Sequence, residues 1–179
     1  MPTLPFPESL CHRCAAPPKY VRSARSTFVL CPLLAEKYPR KPVVSCPLYR
    51  PPLVESARLV LREATPADEV PIGRLWVAIE KATGERIGQI GPLAQRIDGA
   101  DELEVSYHVD APHRRRGFAV EGAAAVRDWA FARGRDHVVA LITDDNVASQ
   151  AVARKLGMTP GGRTTHAGRS HVVWRVARR

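Results

Sequence analysis

The stretch that decides the fold is HRRRGFAVEG, residues 113–122, in which three arginines precede a glycine and the chain then turns small and apolar. An apolar stripe at helical spacing continues from Ala119 to Ala130, and Gly134 follows it, which predicts a helix that opens at Gly117. A helix N-terminus exposes unpaired N–H groups and a partial positive charge, and a glycine there lets an anion approach the backbone. The stretch therefore predicts a phosphate site, although a basic loop is more often a solvated surface.

The segments on either side predict strands and a second helix. Apolar and polar residues alternate in ELEVSYHV (102–109), which predicts a strand with Leu103 on its apolar face. The polar residues on the other face are Glu104, Ser106 and His108. HVVALI (137–142) is a continuous apolar run, which predicts a buried strand. TDDN follows it, so Asn146 can cap a helix that ends at Gly157. Further strands are predicted in RLVLRE (58–63), in a hairpin over 74–91, and in HVVWRVA (171–177).

Composition divides the 179 residues into two parts. Eleven of the sixteen prolines and all four cysteines lie in residues 1–56, so we predict a small module over 1–55 and a globular domain over 56–179. The net charge of +9 favours anionic partners such as phosphates, cofactors or nucleic acid. No run approaches the roughly 18 apolar residues of a membrane span, and the first residues do not resemble a secretory leader. We therefore expect a cytoplasmic protein without membrane contact.

The predicted module carries CHRC at 11–14 and then two single cysteines. A C-x2-C pair with two further thiols suits a tetrahedral metal site, with zinc favoured over an iron–sulfur cluster. Reduced thiols in a poorly ordered arm and two disulfides are the alternatives, of which the disulfides are disfavoured without a secretory signal. The segment also resembles small bacterial four-cysteine modules that begin Cys-His-x-Cys. The candidate metal ligands are Cys11, Cys14, Cys31 and Cys46.

Two motifs carry a family resemblance. RRRGFAVEGAAAVRDWAF (114–131) resembles the R-x-x-G-x-A acyl-coenzyme A pyrophosphate loop and following helix of the GNAT superfamily of N-acetyltransferases. DDNVASQAVARKLGM (144–158) resembles the Asn-x-x-Ser…Lys-Leu-Gly-Met segment of the branch that acetylates N-terminal amines of ribosomal proteins and many small amines. The resemblance covers about residues 57–176, including the hairpin KATGERIGQIG (81–91).

The resemblance implies an α/β (α+β) fold with a mixed, mostly antiparallel central sheet and helices on both faces. The family normally places two helices between its first strand and the hairpin, where this chain has only EATPADEVPIG (63–73). That segment is too short and too proline-broken for both, so we expect the first two helices to be lacking. The acceptor side should then be open, or covered by the cysteine module or another subunit.

The resemblance also implies a set of site residues. Glu104 matches a strand carboxylate that often serves as general base, and Ser149 is a candidate proton donor to the departing thiolate. The tyrosine that many relatives place seven residues after the capping asparagine is replaced by Ala153. Asn146 and Ser149 match positions near the pantetheine arm and thioester, and the Val109 strand backbone is expected to pair with pantetheine. The residues that match the pyrophosphate loop are Arg114, Arg115, Arg116, Gly117, Phe118 and Ala119.

These implications predict an acetyl-CoA-dependent N-acetyltransferase that acts by direct attack of an amine on the thioester. The amine is a protein N-terminus, a lysine or a small molecule, and the sequence leaves the acceptor and the oligomeric state open. One alternative is a non-catalytic protein that binds or senses acyl-CoA. Another is a nucleic-acid interaction module built on the metal-bound arm, and a ribosomal protein also stays open as a partner.

Overall fold

The computed structural model describes residues 19–22, 27–31, 53–64, 68, 70, 72 and 75–179. The secondary structure of these residues follows the periodicities of the sequence, with helix bounds close to those predicted. The strands are β1 Lys19–Arg22, β2 Thr27–Leu30, β3 Val54–Glu55, β4 Leu59–Arg62, β5 Val77–Glu80, β6 Arg86–Ile97, β7 Ala100–Val109, β8 His137–Ile142, β9 Thr159–His166 and β10 Arg169–Ala177. The helices are α1 Phe118–Ala132 and α2 Val147–Lys155, with a 3-10 turn at Ala111–His113.

Eight of these strands form one sheet in the order β3-β4-β5-β6-β7-β8-β10-β9. Every neighbouring pair is antiparallel except β7 and β8, which are parallel. This confirms the mixed, mostly antiparallel sheet. β1 and β2 pair with each other in a separate two-stranded sheet. The edge strand β9 was not predicted, because its Pro160-Gly161-Gly162 stretch carries turn residues and no apolar alternation.

Both described helices pack on the same face of the sheet. Val126 of α1 and Leu156 of α2 belong to one apolar core with Val138 and Ala140 of β8. Val139 points to the opposite face and packs in a separate small cluster. The mixed sheet and its helices agree with the predicted fold class, and within the described residues the buried side chains of α2 extend the core that α1 already covers. The opposite face carries the polar residues of β7.

Several predictions fall on residues that the structure does not describe. Cys11, Cys14 and Cys46 lie outside the described residues, and Cys31 directly follows β2 and is half-buried. The described residues contain no cluster of three or more His, Cys, Asp or Glu side chains suited to a metal ion. Much of the segment 63–74 is also outside them. The cysteine site, the division at residue 55 and the lack of the first two helices thus stay predictions.

The described helices also bear on membrane insertion. Neither α1 nor α2 has the length and apolar character that a membrane span requires.

Candidate active site

The loop between β7 and α1 ends in an uncapped helix N-terminus. Gly117 is the N-cap of α1 with φ of +86°, a backbone conformation that favours glycine, and no side chain caps the first turn. The first N–H groups of α1 therefore lack the side-chain acceptor that a Ser, Thr, Asp or Asn would supply. This arrangement is the one that the sequence predicts for holding an anion.

The three arginines of this loop differ in what they bind. Arg114 donates from Nε to the Val109 carbonyl oxygen at 2.8 Å. Arg116 donates from Nη2 to Oε1 of the buried Glu80 at 2.6 Å. The Arg115 side chain makes no hydrogen bond or ion pair with the described residues, and its backbone has φ of +63°. Two of the arginines thus shape the loop, and Arg115 is left for a ligand.

A fourth arginine, Arg58, also contacts this loop. Arg58 donates from Nε to Oε2 of Glu121 at 2.6 Å and from Nη1 to the Arg116 carbonyl oxygen at 3.0 Å. The guanidinium carbons of Arg58 and Arg116 lie 4.6 and 4.7 Å from the centroid of the Phe118 ring. Sequence reasoning missed Arg58, because the only available signal is an arginine before a strand and an acid 63 residues later.

Beyond the loop, strands β7 and β8 separate soon after they meet. Their pairing is confined to one position, Glu104 with Val139. On its other side β7 pairs with β6 along its whole length. The Asp110 N–H donates to the Ile87 carbonyl at 2.9 Å, so even-numbered residues of β7 direct their N–H and C=O groups toward β6. The odd-numbered Tyr107 therefore directs its backbone groups toward β8, beyond the end of the pairing.

Glu104 lies where the two strands separate. It is 8% exposed, so it is a buried carboxylate and not a solvent-facing residue of the strand. Gln95 donates from Nε2 to Glu104 Oε2 at 2.6 Å, and the Leu141 backbone also hydrogen-bonds to the carboxylate. Burial raises the pKa of Glu104; the hydrogen bond from Gln95 and the imidazoles of His166 and His171 act in the opposite direction without cancelling it. Such a carboxyl group is a stronger base than an exposed glutamate, which suits it to accept a proton from a substrate.

The neighbouring carboxylate, Glu102, is as deeply buried but differently partnered. His137 Nε2 lies 2.6 Å from Glu102 Oε2, and Arg175 donates from Nη2 to Oε1 at 2.6 Å. The charge of Glu102 is therefore compensated by a guanidinium, whereas the hydrogen-bond donors to Glu104 are neutral amides. Of the two buried carboxylates on this face, Glu104 is the one whose charge a cationic or proton-donating substrate would balance.

The start of α2 is tied to β7 near this carboxylate. Asn146 Oδ1 accepts the Ser149 N–H at 3.0 Å and caps the helix, as the sequence predicts. Tyr107 donates from its hydroxyl to the Ser149 carbonyl oxygen at 3.0 Å. Burial raises the pKa of Tyr107 to about 12; the bond to Ser149 lowers it and the charge of Glu104 raises it further. Tyr107, which sequence reasoning did not single out, is thus a protonated hydroxyl beside Ser149.

The chain is similar in sequence to several known proteins. A family model described as "Acetyltransferase (GNAT) domain" matches residues 51–159. The chain is 40% identical over 85 residues to "Uncharacterized protein YkkB" of Bacillus subtilis (strain 168), covering 47% of this chain and 49% of that protein. It is 31% identical over 83 residues to "Uncharacterized N-acetyltransferase YjdG" of the same strain, covering 46% and 49%. The chain thus spans about half the length of the curated relatives it matches.

The fold is also that of a solved protein. A crystal structure described as the "Acetyltransferase from Agrobacterium tumefaciens str. C58" superposes with a TM-score of 0.60 at 24% identity, covering 75% of this chain and 99% of that one.

Proposed function

The chain belongs to the GNAT acetyltransferase family, and on that premise we propose that it transfers the acetyl group of acetyl-CoA to an amine. The acceptor is a protein N-terminus, a lysine or a small-molecule amine. The observation that carries the proposal is Glu104, a buried carboxylate with neutral hydrogen-bond donors at the point where β7 and β8 separate. A base in that position can deprotonate an ammonium group beside a ligand that lies between the strands.

Coenzyme A is proposed to bind along the side of β7 that faces β8 and across the N-terminus of α1. The N–H groups of Gly117, Phe118 and Ala119 donate to the pyrophosphate, supported by the partial positive charge of the helix N-terminus. The pantetheine amides pair with the backbone groups of Tyr107 and Val109 that face β8, much as an added strand does. The Val109 carbonyl already accepts Arg114 Nε, which leaves the Val109 N–H for the ligand.

In the proposed reaction the amine attacks the thioester directly. Glu104 takes a proton from the amine, directly or through water, the new N–C bond forms at the carbonyl carbon, and the C–S bond breaks. The departing thiolate takes a proton and leaves as coenzyme A. Holding both substrates in one site supplies much of the acceleration, since no covalent enzyme intermediate is needed.

The proton donor to the thiolate is proposed to be Ser149, with Tyr107 as the alternative. Ser149 follows from the family motif, and its Oγ has no hydrogen-bond partner among the described residues, whereas Tyr107 stays protonated at neutral pH but is committed to the Ser149 carbonyl. Tyr107→Phe removes that bond and is expected to cost about 1 kcal/mol in the free energy of unfolding. Ser149→Ala is expected to lower kcat by about tenfold or more with little change in stability. A greater loss of kcat in Tyr107→Phe than in Ser149→Ala, measured with urea titrations alongside, would reassign the donor.

The proposed function is tested by coenzyme A release from acetyl-CoA in the presence of peptides with free N-termini, lysine peptides and small amines. Amine-dependent release with mass-spectrometric detection of the acetylated product supports it. Tight acetyl-CoA binding without transfer to any of these acceptors would leave the non-catalytic acyl-CoA-binding protein instead. Steeply salt-dependent binding to nucleic acid without acetyl-CoA binding would favour the nucleic-acid module.

We also propose that the four cysteines Cys11, Cys14, Cys31 and Cys46 bind a zinc ion or an iron–sulfur cluster. Elemental analysis of protein purified without added metal tests this, and a thiol titration that finds four accessible cysteines in a metal-free protein contradicts it.

A further inference from the structure

We propose that Arg58 is a direct ligand of the coenzyme A pyrophosphate, reaching the mouth of α1 from the turn before β4. This inference rests on the proposed function and adds to its site a residue that lies outside the loop motif. Arg58 is far from the loop in sequence but contacts the loop and the first turn of α1. Its three partners are the Arg116 carbonyl oxygen, the Glu121 carboxylate and the Phe118 ring.

Arg58 is placed so that one of its donors remains available. Nε is taken by Glu121 and Nη1 by the Arg116 carbonyl, and the guanidinium lies over the Phe118 ring. Nη2 has no acceptor among the described residues. It lies 3.3 Å from the position that a Cβ would occupy on Gly117, the N-cap of α1. An anion held by the first amides of α1 is therefore within reach of Nη2.

The surroundings of Arg58 fix it before a ligand arrives. Glu121 accepts from Ser56 Oγ at 2.7 Å and from the Arg58 N–H at 2.6 Å in addition to Arg58 Nε, so the carboxylate is itself held in place. These hydrogen bonds and the ion pair lower the pKa of Glu121, although burial alone would raise it. A side chain that is already ordered loses little conformational entropy when it binds, and the remaining donor contributes more fully to affinity.

Arg58 also differs from the loop arginines in this respect. Arg116 is ion-paired with Glu80 and Arg114 is hydrogen-bonded to the Val109 carbonyl, so both are tied to strands, whereas Arg58 is ion-paired with Glu121 of α1. The Arg58 side chain is 48% exposed despite its ion pair, which leaves room for a phosphate oxygen. The geometry thus assigns the pyrophosphate a guanidinium donor in addition to backbone amides.

The test compares Arg58→Gln with Arg96→Gln, which removes the same charge from an exposed arginine paired with Asp101 in the β6–β7 hairpin. Isothermal titration with acetyl-CoA should give a dissociation constant about 10-fold to 100-fold higher in Arg58→Gln, the range for a charge-assisted hydrogen bond. Arg96→Gln should bind like the unaltered protein. The same loss is expected with 3′-dephospho-CoA, because the proposed contact is to the pyrophosphate. A loss confined to ligands with the 3′-phosphate would overturn that assignment.

Two further measurements separate a direct contact from bracing of the loop. With S-acetylpantetheine, which lacks phosphate, kcat/KM should be unchanged in Arg58→Gln; an equal loss with both donors would contradict the proposal. Glu121→Gln weakens the ion pair that holds the Arg58 side chain in place but leaves the charge of Arg58. It should therefore reduce acetyl-CoA affinity less than Arg58→Gln does. Equal and non-additive losses in the two variants would show that Arg58 acts only through Glu121. If the unaltered protein fails to bind acetyl-CoA, the proposed function itself is wrong.

Discussion

Replacing Glu104 with Gln is expected to lower kcat for acetyl transfer by about 10²-fold to 10⁴-fold, the usual contribution of a positioned general base. Gln has nearly the same shape and still accepts the hydrogen bond from Gln95 Nε2, so the loss isolates the proton-accepting role. The dissociation constant for acetyl-CoA should stay within about twofold, because the substitution leaves the loop and helix mouth intact. Glu85→Gln, at an exposed turn position, serves as the charge-matched control.

The same substitution is expected to stabilise the protein at neutral pH. The pKa of Glu104 is raised in the folded state, so its contribution to stability is fully present below the unfolded-state pKa and is lost as the pH rises through the folded-state pKa. A glutamine side chain at this position is not ionised at any pH and escapes that loss. The gain in Tm of Glu104→Gln over the unaltered protein should therefore be greater at pH 7 than at pH 4. A uniform fall in Tm would show that Glu104 is held by partners that stabilise its charge.

The pH dependence of kcat/KM provides a third test of Glu104. With an electron-poor aromatic amine acceptor, whose conjugate acid is much more acidic than a glutamate side chain, kcat/KM should fall toward acid as Glu104 takes up its proton. The midpoint should lie above 4.5, the ordinary value for a glutamate. If this fall in kcat/KM toward acid is absent in Glu104→Gln, the titrating group is Glu104. If the fall persists in that variant, another group causes it.

Replacing Gly88 with Ala is expected to destabilise the fold by about 2–4 kcal/mol and to weaken acetyl-CoA binding. Gly88 has φ of +149°, and a Cβ there would lie 2.1 Å from the His108 carbonyl oxygen and 2.9 Å from the Val109 Cα. Both of those atoms are backbone, so relief requires β6 and β7 to move apart. The strain falls at the end of β7 that leads into the phosphate loop. Chemical denaturation and calorimetry with acetyl-CoA measure the two effects.

Gly99→Ala provides the matched control for Gly88→Ala. Gly99 also has a positive φ, +86°, but a Cβ there has nothing within 4 Å. The backbone cost alone, about 1 kcal/mol, should appear in the free energy of unfolding, with acetyl-CoA affinity unchanged. If both variants lose equal stability, the close approach of Gly88 to His108 is not what constrains that position.

The features that the sequence predicted are those with local signals. Gly117 and Asn146 mark the starts of the two helices because caps and glycines act within a few residues. The alternation of β7 placed Glu104 on a polar face, but burial of that face depends on packing that no strand pattern encodes. Periodicity identifies which side of a strand is apolar, not which helix covers it, so the packing of α1 and α2 on one face had no sequence signal.

The features that sequence reasoning missed are long-range polar contacts. The pair of Arg58 and Glu121 joins residues 63 apart, and Glu102 with Arg175 joins residues 73 apart. Charged residues are common on any surface, and their spacing along the chain carries no information about such partners. The register of the sheet brings them together, so they become visible only once the strand order is known.

The single pairing between β7 and β8 has a dynamic consequence. The block β3–β7 and the block β8–β10–β9 share one backbone pair, so opening at that seam breaks few main-chain hydrogen bonds. Amide hydrogens of Tyr107 and Val109, which face the seam, should exchange with deuterium faster than those of Ser106 and His108, which face β6. Bound acetyl-CoA should slow exchange of the Tyr107 and Val109 amide hydrogens selectively. Their exchange rates would then measure acetyl-CoA binding without any acceptor amine.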